Sequence, residues 1–103
     1  MKTDIAKFVR EKLGHEPKDL RLFELALTHA SAGSANYERL EFLGDRVLGY
    51  VVARALYDRH EREPEGYLSR RYNVLVARET CATIGRDLGI PSVMLLQQMV
   101  FRP

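Results

Sequence analysis

Apolar residues recur along this chain at spacings of three and four, and no stretch keeps the alternation of a half-buried strand. The pattern predicts an all-α chain. A first helix of about ten residues is capped by Thr3, carries Ile5, Phe8, Val9 and Leu13 on one face, and stops at Gly14. HEPKD is a turn, and Asp19 caps a second helix from Leu20 to about Ala30, with Leu20, Phe23, Leu27 and Ala30 facing a core. After the small-residue loop ASAGSA, Asn36 caps the longest element, predicted from Asn36 to Asp58. Tyr67 to about Ala77 and Arg78 to Leu88 complete the set, the last closed by Gly89 and Pro91. Ser92 onward, SVMLLQQMVFRP, is expected to start a short apolar helix.

The long helix organises the rest. Leu40, Leu43, Val47 and Val51 form one stripe, with Leu48, Val52 and Ala55 beside it, and Arg39, Arg46 and Tyr50 fill a polar strip. A helix apolar on most sides is expected at the centre of its domain. Three carboxylates, Glu38, Glu41 and Asp45, interrupt its first turns. At about 100° per residue, Glu38 and Asp45 lie within roughly 20° of each other and Glu41 about 60° away. The same stripe continues as Leu48, Val52 and Leu56, which places the acids at the rim of a buried face. Like charges at such spacings repel, and desolvation adds to the cost unless a cation offsets both. Two cations qualify. Arg39, Arg46 or an arginine of another helix would make the cluster structural. A divalent ion would make it chemical, and oxygen-only ligands select Mg²⁺ or Mn²⁺, ions that hydrolyse phosphodiesters by activating water.

Composition narrows the setting. At 103 residues the chain is at most one domain, and 46% hydrophobic with 29% charged residues is a soluble globular balance. No apolar run is long enough to span a bilayer, and the N-terminus lacks the apolar core of a signal peptide, so a cytoplasmic location is expected. The single Cys81 excludes an internal disulfide and a Cys-rich zinc site. The net charge of +2 is unevenly laid out: beyond Lys18 every fixed positive charge is arginine, grouped at Arg59, Arg62, Arg70, Arg71 and Arg78. Such a group is either a solvated surface of local ion pairs or a set of bidentate phosphate contacts.

The run Leu27-Thr28-His29-Ala30-Ser31, followed by Asn36-Tyr37-Glu38-Arg39-Leu40-Glu41-Phe42-Leu43-Gly44-Asp45-Arg46-Val47-Leu48, resembles the signature of bacterial ribonuclease III. Glu65-Gly66-Tyr67-Leu68-Ser69-Arg70-Arg71 and Leu75-Val76 resemble the family's next segment, and the similarity covers roughly residues 5 to 90. The resemblance implies a helical nuclease domain that cuts double-stranded RNA with Mg²⁺ in RNA processing, leaving 5′-phosphate and 3′-hydroxyl ends. It implies that Glu41 and Asp45 are metal ligands and that Glu38 is a less direct catalytic acid nearer the subunit contact. It implies further that Phe42 inserts into a partner subunit, making a homodimer along the signature helix. Arg70 and Arg71 become candidate RNA contacts that position a duplex by its backbone. His29 and Ser31 are expected to orient the start of the helix rather than to react.

The chain also departs from the family pattern. A second acid pair, D-x-x-E on a later helix, completes the family's metal site, and no Asp or Glu follows Asp87 here. Asp58-Arg59-His60-Glu61 has that spacing but lies several turns from the cluster. Arg46 stands where many members have Ser. Residues 91–103 diverge, and a double-stranded-RNA-binding domain is missing. The expectation is therefore the N-terminal part of a ribonuclease III domain, residues 1–90, followed by a divergent tail. Such a piece would leave apolar surface on the long helix uncovered. The competing expectation is a non-catalytic helical module, derived from that domain, that dimerises or binds RNA through the Phe42 rim.

Overall fold

The computed structural model describes residues 2–94, with side chains from residue 4 onward. Most of the expected helix after Ser92 lies outside the described residues. The order is α1 (Lys2–Leu13), α2 (Leu20–Ala26), a 3-10 turn (Ala30–Ala32), α3 (Glu38–Arg59), α4 (Glu65–Leu75), α5 (Arg78–Leu88) and a second 3-10 turn (Ile90–Val93), with no strand among the described residues. The all-α expectation therefore holds.

Local chemistry explains most boundaries. Helix α1 ends at Gly14, whose φ of 64° only glycine adopts without strain, and α5 ends the same way at Gly89, φ 85°. Asp19 caps α2 by accepting the Arg21 N–H at 3.1 Å. Helix α2 stops four residues short of expectation because the polar residues after it bond locally. The Thr28 hydroxyl donates to the Glu24 carbonyl at 2.6 Å, and His29 turns extended to cap the following 3-10 turn. Helix α1 begins at Lys2, so Thr3 lies inside it rather than capping it.

The packed core sits away from the longest helix. Ile5, Phe8 and Val9 of α1 and Val93 of the last turn are buried together, with Leu20, Phe23 and Leu27 from the α2 side and Leu88 and Ile90 from the α5 side packed around them. Leu13, expected on that face, is about half exposed, because the chain turns away at Gly14 before anything covers it. Helix α3 folds back through a short loop onto α4 and also touches α2. Of its residues only Leu56 is buried. The expectation that α3 lies at the centre of a packed domain is therefore corrected. Leu43, Val47 and Val51 are 58%, 54% and 55% exposed, since no described element lies over that side. The Cα radius of gyration, 16.3 Å, exceeds the about 13 Å of a compact chain of this size, in keeping with an open hairpin.

Two glycines in α3 have opposite environments. A Cβ on Gly49 would stand 2.7 Å from the Tyr72 hydroxyl oxygen, whereas a Cβ on Gly44 meets nothing within 4 Å. Gly49 thus lets α4 approach, and Gly44 keeps only the helix-propensity deficit of about 0.5–1 kcal/mol relative to Ala. Gly44→Ala is expected to raise the unfolding free energy of this chain by about that amount. Gly49→Ala should give no such gain until Tyr72→Phe removes the clashing oxygen. Urea denaturation of the three variants checks the order.

Candidate functional site

The start of α3 is held from two directions. Asn36 Oδ1 accepts the Glu38 N–H at 2.9 Å, while Asn36 Nδ2 donates to the Gly33 carbonyl at 2.8 Å. The cap residue is Tyr37, whose side chain makes no cap bond, and Asn36, expected as the cap, stands one residue before it and bonds the first helical N–H from there. The Tyr37 N–H donates to the Thr28 carbonyl at 3.0 Å. The His29 ring meets the Tyr37 ring edge-on, centroids 5.7 Å apart at 78°, and His29 Nδ1 accepts the Ser31 N–H at 3.0 Å. His29 and Ser31 thus shape the turn that aims α3.

That turn presents Glu38, Glu41 and Asp45 to solvent. The stripe read from sequence is real, passing from these exposed acids through Leu48 and half-buried Val52 to buried Leu56. The desolvation expected for the acids is absent, because α4 covers only the far end of that stripe. Arginines do not neutralise them either. Among the described residues no ion pair includes Glu38, Glu41 or Asp45. Arg46 instead folds back along its own helix, donating to the Phe42 carbonyl at 3.0 Å with its guanidinium carbon 3.9 Å from the Phe42 ring centroid. Glu41 and Asp45 fit Mg²⁺ or Mn²⁺ in donor type, as hard carboxylate oxygens a turn apart on one face. They do not fit in number, since no group of three or more His, Cys, Asp or Glu among the described residues is gathered closely enough to hold an ion.

Phe42 is 63% exposed beside these acids. Next to it an open groove of about 690 Å³ is lined by Leu25, Leu40, Leu43 and Phe42, with Glu38 and Arg39 at its edge. An aromatic ring and an apolar groove therefore adjoin on one surface.

The candidate RNA-binding arginines lie elsewhere. Arg71 holds Glu63 with two hydrogen bonds of 2.8 Å, and this guanidinium keeps the Glu63 carboxyl below the usual carboxylate range. Among the described residues Arg70 pairs with no carboxylate, and its guanidinium lies 5.4 Å from the Tyr67 ring centroid. Both line a groove over the C-terminal half of α3, with Leu56 and Arg59. Arg59 stands fourteen residues beyond Asp45, about 21 Å along the helix, so the basic residues and the acids are not brought together. Sequence reasoning missed the Arg46–Phe42 contact, although an aromatic and an arginine four residues apart on a helix are a sufficient signal. The Glu63–Arg71 pair closes across a loop and leaves no comparable trace.

Comparison with known proteins adds an independent line. Residues 19–101 match the family model described as Ribonuclease-III-like. Ribonuclease 3 of Zymomonas mobilis is 55% identical over 89 residues, which are 86% of this chain and 36% of that protein. Ribonuclease 3 of Brucella canis is 47% identical over 92 residues, 86% of this chain and 38% of that one. Among solved structures, the nuclease domain of ribonuclease III from Campylobacter jejuni superposes with a TM-score of 0.83 at 38% identity, over 87% of this chain and 64% of that one. That work concerns structural flexibility in the region involved in dimer formation of the Campylobacter domain. The chain thus spans little more than a third of the length of the curated relatives it matches.

Two expected outcomes follow from the site's geometry. Asn36→Ala should lower stability by about 0.5–2 kcal/mol, with Asn36→Asp, which keeps the capping oxygen, close to wild type by thermal unfolding. Because the folded-state pKa of Glu63 is depressed by Arg71, the pair's stabilisation is present above the ordinary glutamate range and is lost as pH falls through the lowered value. Glu63→Gln should remove that part of the acid dependence from a series of unfolding curves between neutral and acid pH.

Proposed function

This chain belongs to the ribonuclease III family, and from that premise we propose that its α3 face carries one side of an Mg²⁺-dependent endonuclease site for double-stranded RNA. The observation that carries the proposal is that Glu41 and Asp45 are exposed and make no ion pair among the described residues, while Arg46 of the same helix is turned onto Phe42. Carboxylates left without counter-cations on a fixed helix are suited to a divalent ion carried between protein and phosphate.

In this proposal Glu41 and Asp45 would supply part of the ligand set of Mg²⁺, or Mn²⁺ in its place, and Glu38, one turn closer to the helix start, would be a less direct catalytic acid. Bound there, the ion supplies activation of water and stabilisation of the leaving oxygen. The chain's own part is to keep α3 aimed through Asn36, His29 and Tyr37, and to leave the acids open to a phosphodiester. Arg70, which pairs with no carboxylate among the described residues, is the better of the two candidate backbone contacts. Arg71 would have to release Glu63 first. Two copies are proposed to meet along α3, the Phe42 ring of each entering the Leu25–Leu40–Leu43 groove of the other.

The test joins this chain to the remaining length of the Zymomonas mobilis ribonuclease 3 and assays it, beside the chain alone, on duplex RNA with and without Mg²⁺. The fused chain should cut with Mg²⁺ to give 5′-phosphate ends. Asp45→Asn and Glu41→Gln should each lower the rate by more than the roughly 10–100-fold that loss of an outer-shell metal partner costs. A fused protein that binds duplex RNA and dimerises, yet does not cut with Mg²⁺, would overturn the proposal in favour of a non-catalytic module, and cutting at the same rate with and without Asp45 would remove that acid from the site.

A further inference from the structure

We propose that Arg46 is a positioning residue for the exposed aromatic of this surface: it clamps the Phe42 ring in one orientation before any partner arrives and keeps its own charge off the neighbouring acids. The proposal rests on the reading of Phe42 as the contact between two copies.

A phenylalanine that is 63% exposed has little packing to select a rotamer, and ordering it on association would oppose binding. Side chains on a helix lean toward its N-terminus, so a residue four positions later reaches back over an earlier one. Arg46 does this with both ends of its guanidinium chemistry. One N–H is fixed by the Phe42 carbonyl at 3.0 Å, and the planar group lies 3.9 Å from the Phe42 ring centroid. The carbonyl anchor decides where the plane sits, and the plane then covers one face of the ring while leaving the other open. A lysine can supply charge to the ring but not a flat group anchored at the same time. Serine can supply neither.

The same contact acts on the acids. Asp45 directly precedes Arg46 in sequence, and Glu41 directly precedes Phe42. An arginine swinging free at position 46 would be a cation next to Asp45 in sequence. Held on Phe42, it makes no ion pair with either, and among the described residues neither acid is in one. One side chain thus serves the anchor and the open acidic rim together.

The test uses this chain as it stands, with two measurements. By NMR, the Arg46 side-chain protons should show an upfield ring-current displacement that disappears in Phe42→Leu. By analytical ultracentrifugation, Arg46→Ala should weaken self-association about two- to fivefold, the scale of an exposed cation–aromatic contact. Arg46→Lys should fall between Ala and wild type, and Phe42→Ala should abolish association. All four residue changes are at exposed positions, and unchanged far-ultraviolet circular dichroism confirms that the variants fold. No Phe42-dependent displacement, or association insensitive to Arg46→Ala while Phe42→Ala abolishes it, overturns the clamp and leaves the Phe42 contact standing. Association insensitive to both variants overturns the Phe42 contact itself, and the clamp's role falls with it.

Discussion

The constraint on which this structure depends is a mismatch between one helix and its cover. Helix α3 runs 22 residues, about 33 Å, and is apolar around most of its circumference. Helix α4 packs along one side of it, with Tyr72 against Gly49 and Leu56 buried beneath. The apolar side residues Leu43, Val47 and Val51 remain in solvent. The fully packed cluster forms where cover is available, at the corner of α1, α2 and the turn after α5. A helix so placed is a ready surface for association, and its N-terminal turns, where the acids and Phe42 lie, are the least covered part of it.

Charge distribution turns that uncovered end into a distinctive site. Among the described residues four arginines pair with carboxylates: Arg71 with Glu63, Arg54 with Asp58, Arg21 with Asp19, Arg10 with Glu16. The exposed pairs contribute little to stability one by one, but they use up opposite charges. The acids in the first turns of α3 are not among these pairs. Arg46 takes an aromatic and a carbonyl instead of a carboxylate, and Glu38, Glu41 and Asp45 are exposed within two turns of each other. In the proposed site, carboxylates that are to receive a divalent ion would have to be free of guanidinium.

Much of this was legible in the chain. Helix α5 has the bounds read from Ala77–Arg78 and Gly89, and α3 lies within two residues of its expected start because Asn36 has a capping oxygen to offer. The shared stripe of Glu38, Glu41 and Asp45 followed from spacing alone. Two things were not legible. Periodicity reports which residues are available for burial, not whether another element will cover them, so Leu13 and most of α3 are more exposed than their pattern implied. Side chains with several possible partners are also settled only in space. Arg46 had acids and an aromatic within reach, and Arg71 found Glu63 across a loop.

The most direct measurement of the central claim is paramagnetic broadening of the chain's amide resonances by trace Mn²⁺. Broadening concentrated at residues 38–46 of α3, displaced by excess Mg²⁺ and abolished in the Glu41→Gln, Asp45→Asn double variant, is the result the account predicts. Broadening spread evenly over the surface carboxylates, or unchanged in the double variant, would contradict it.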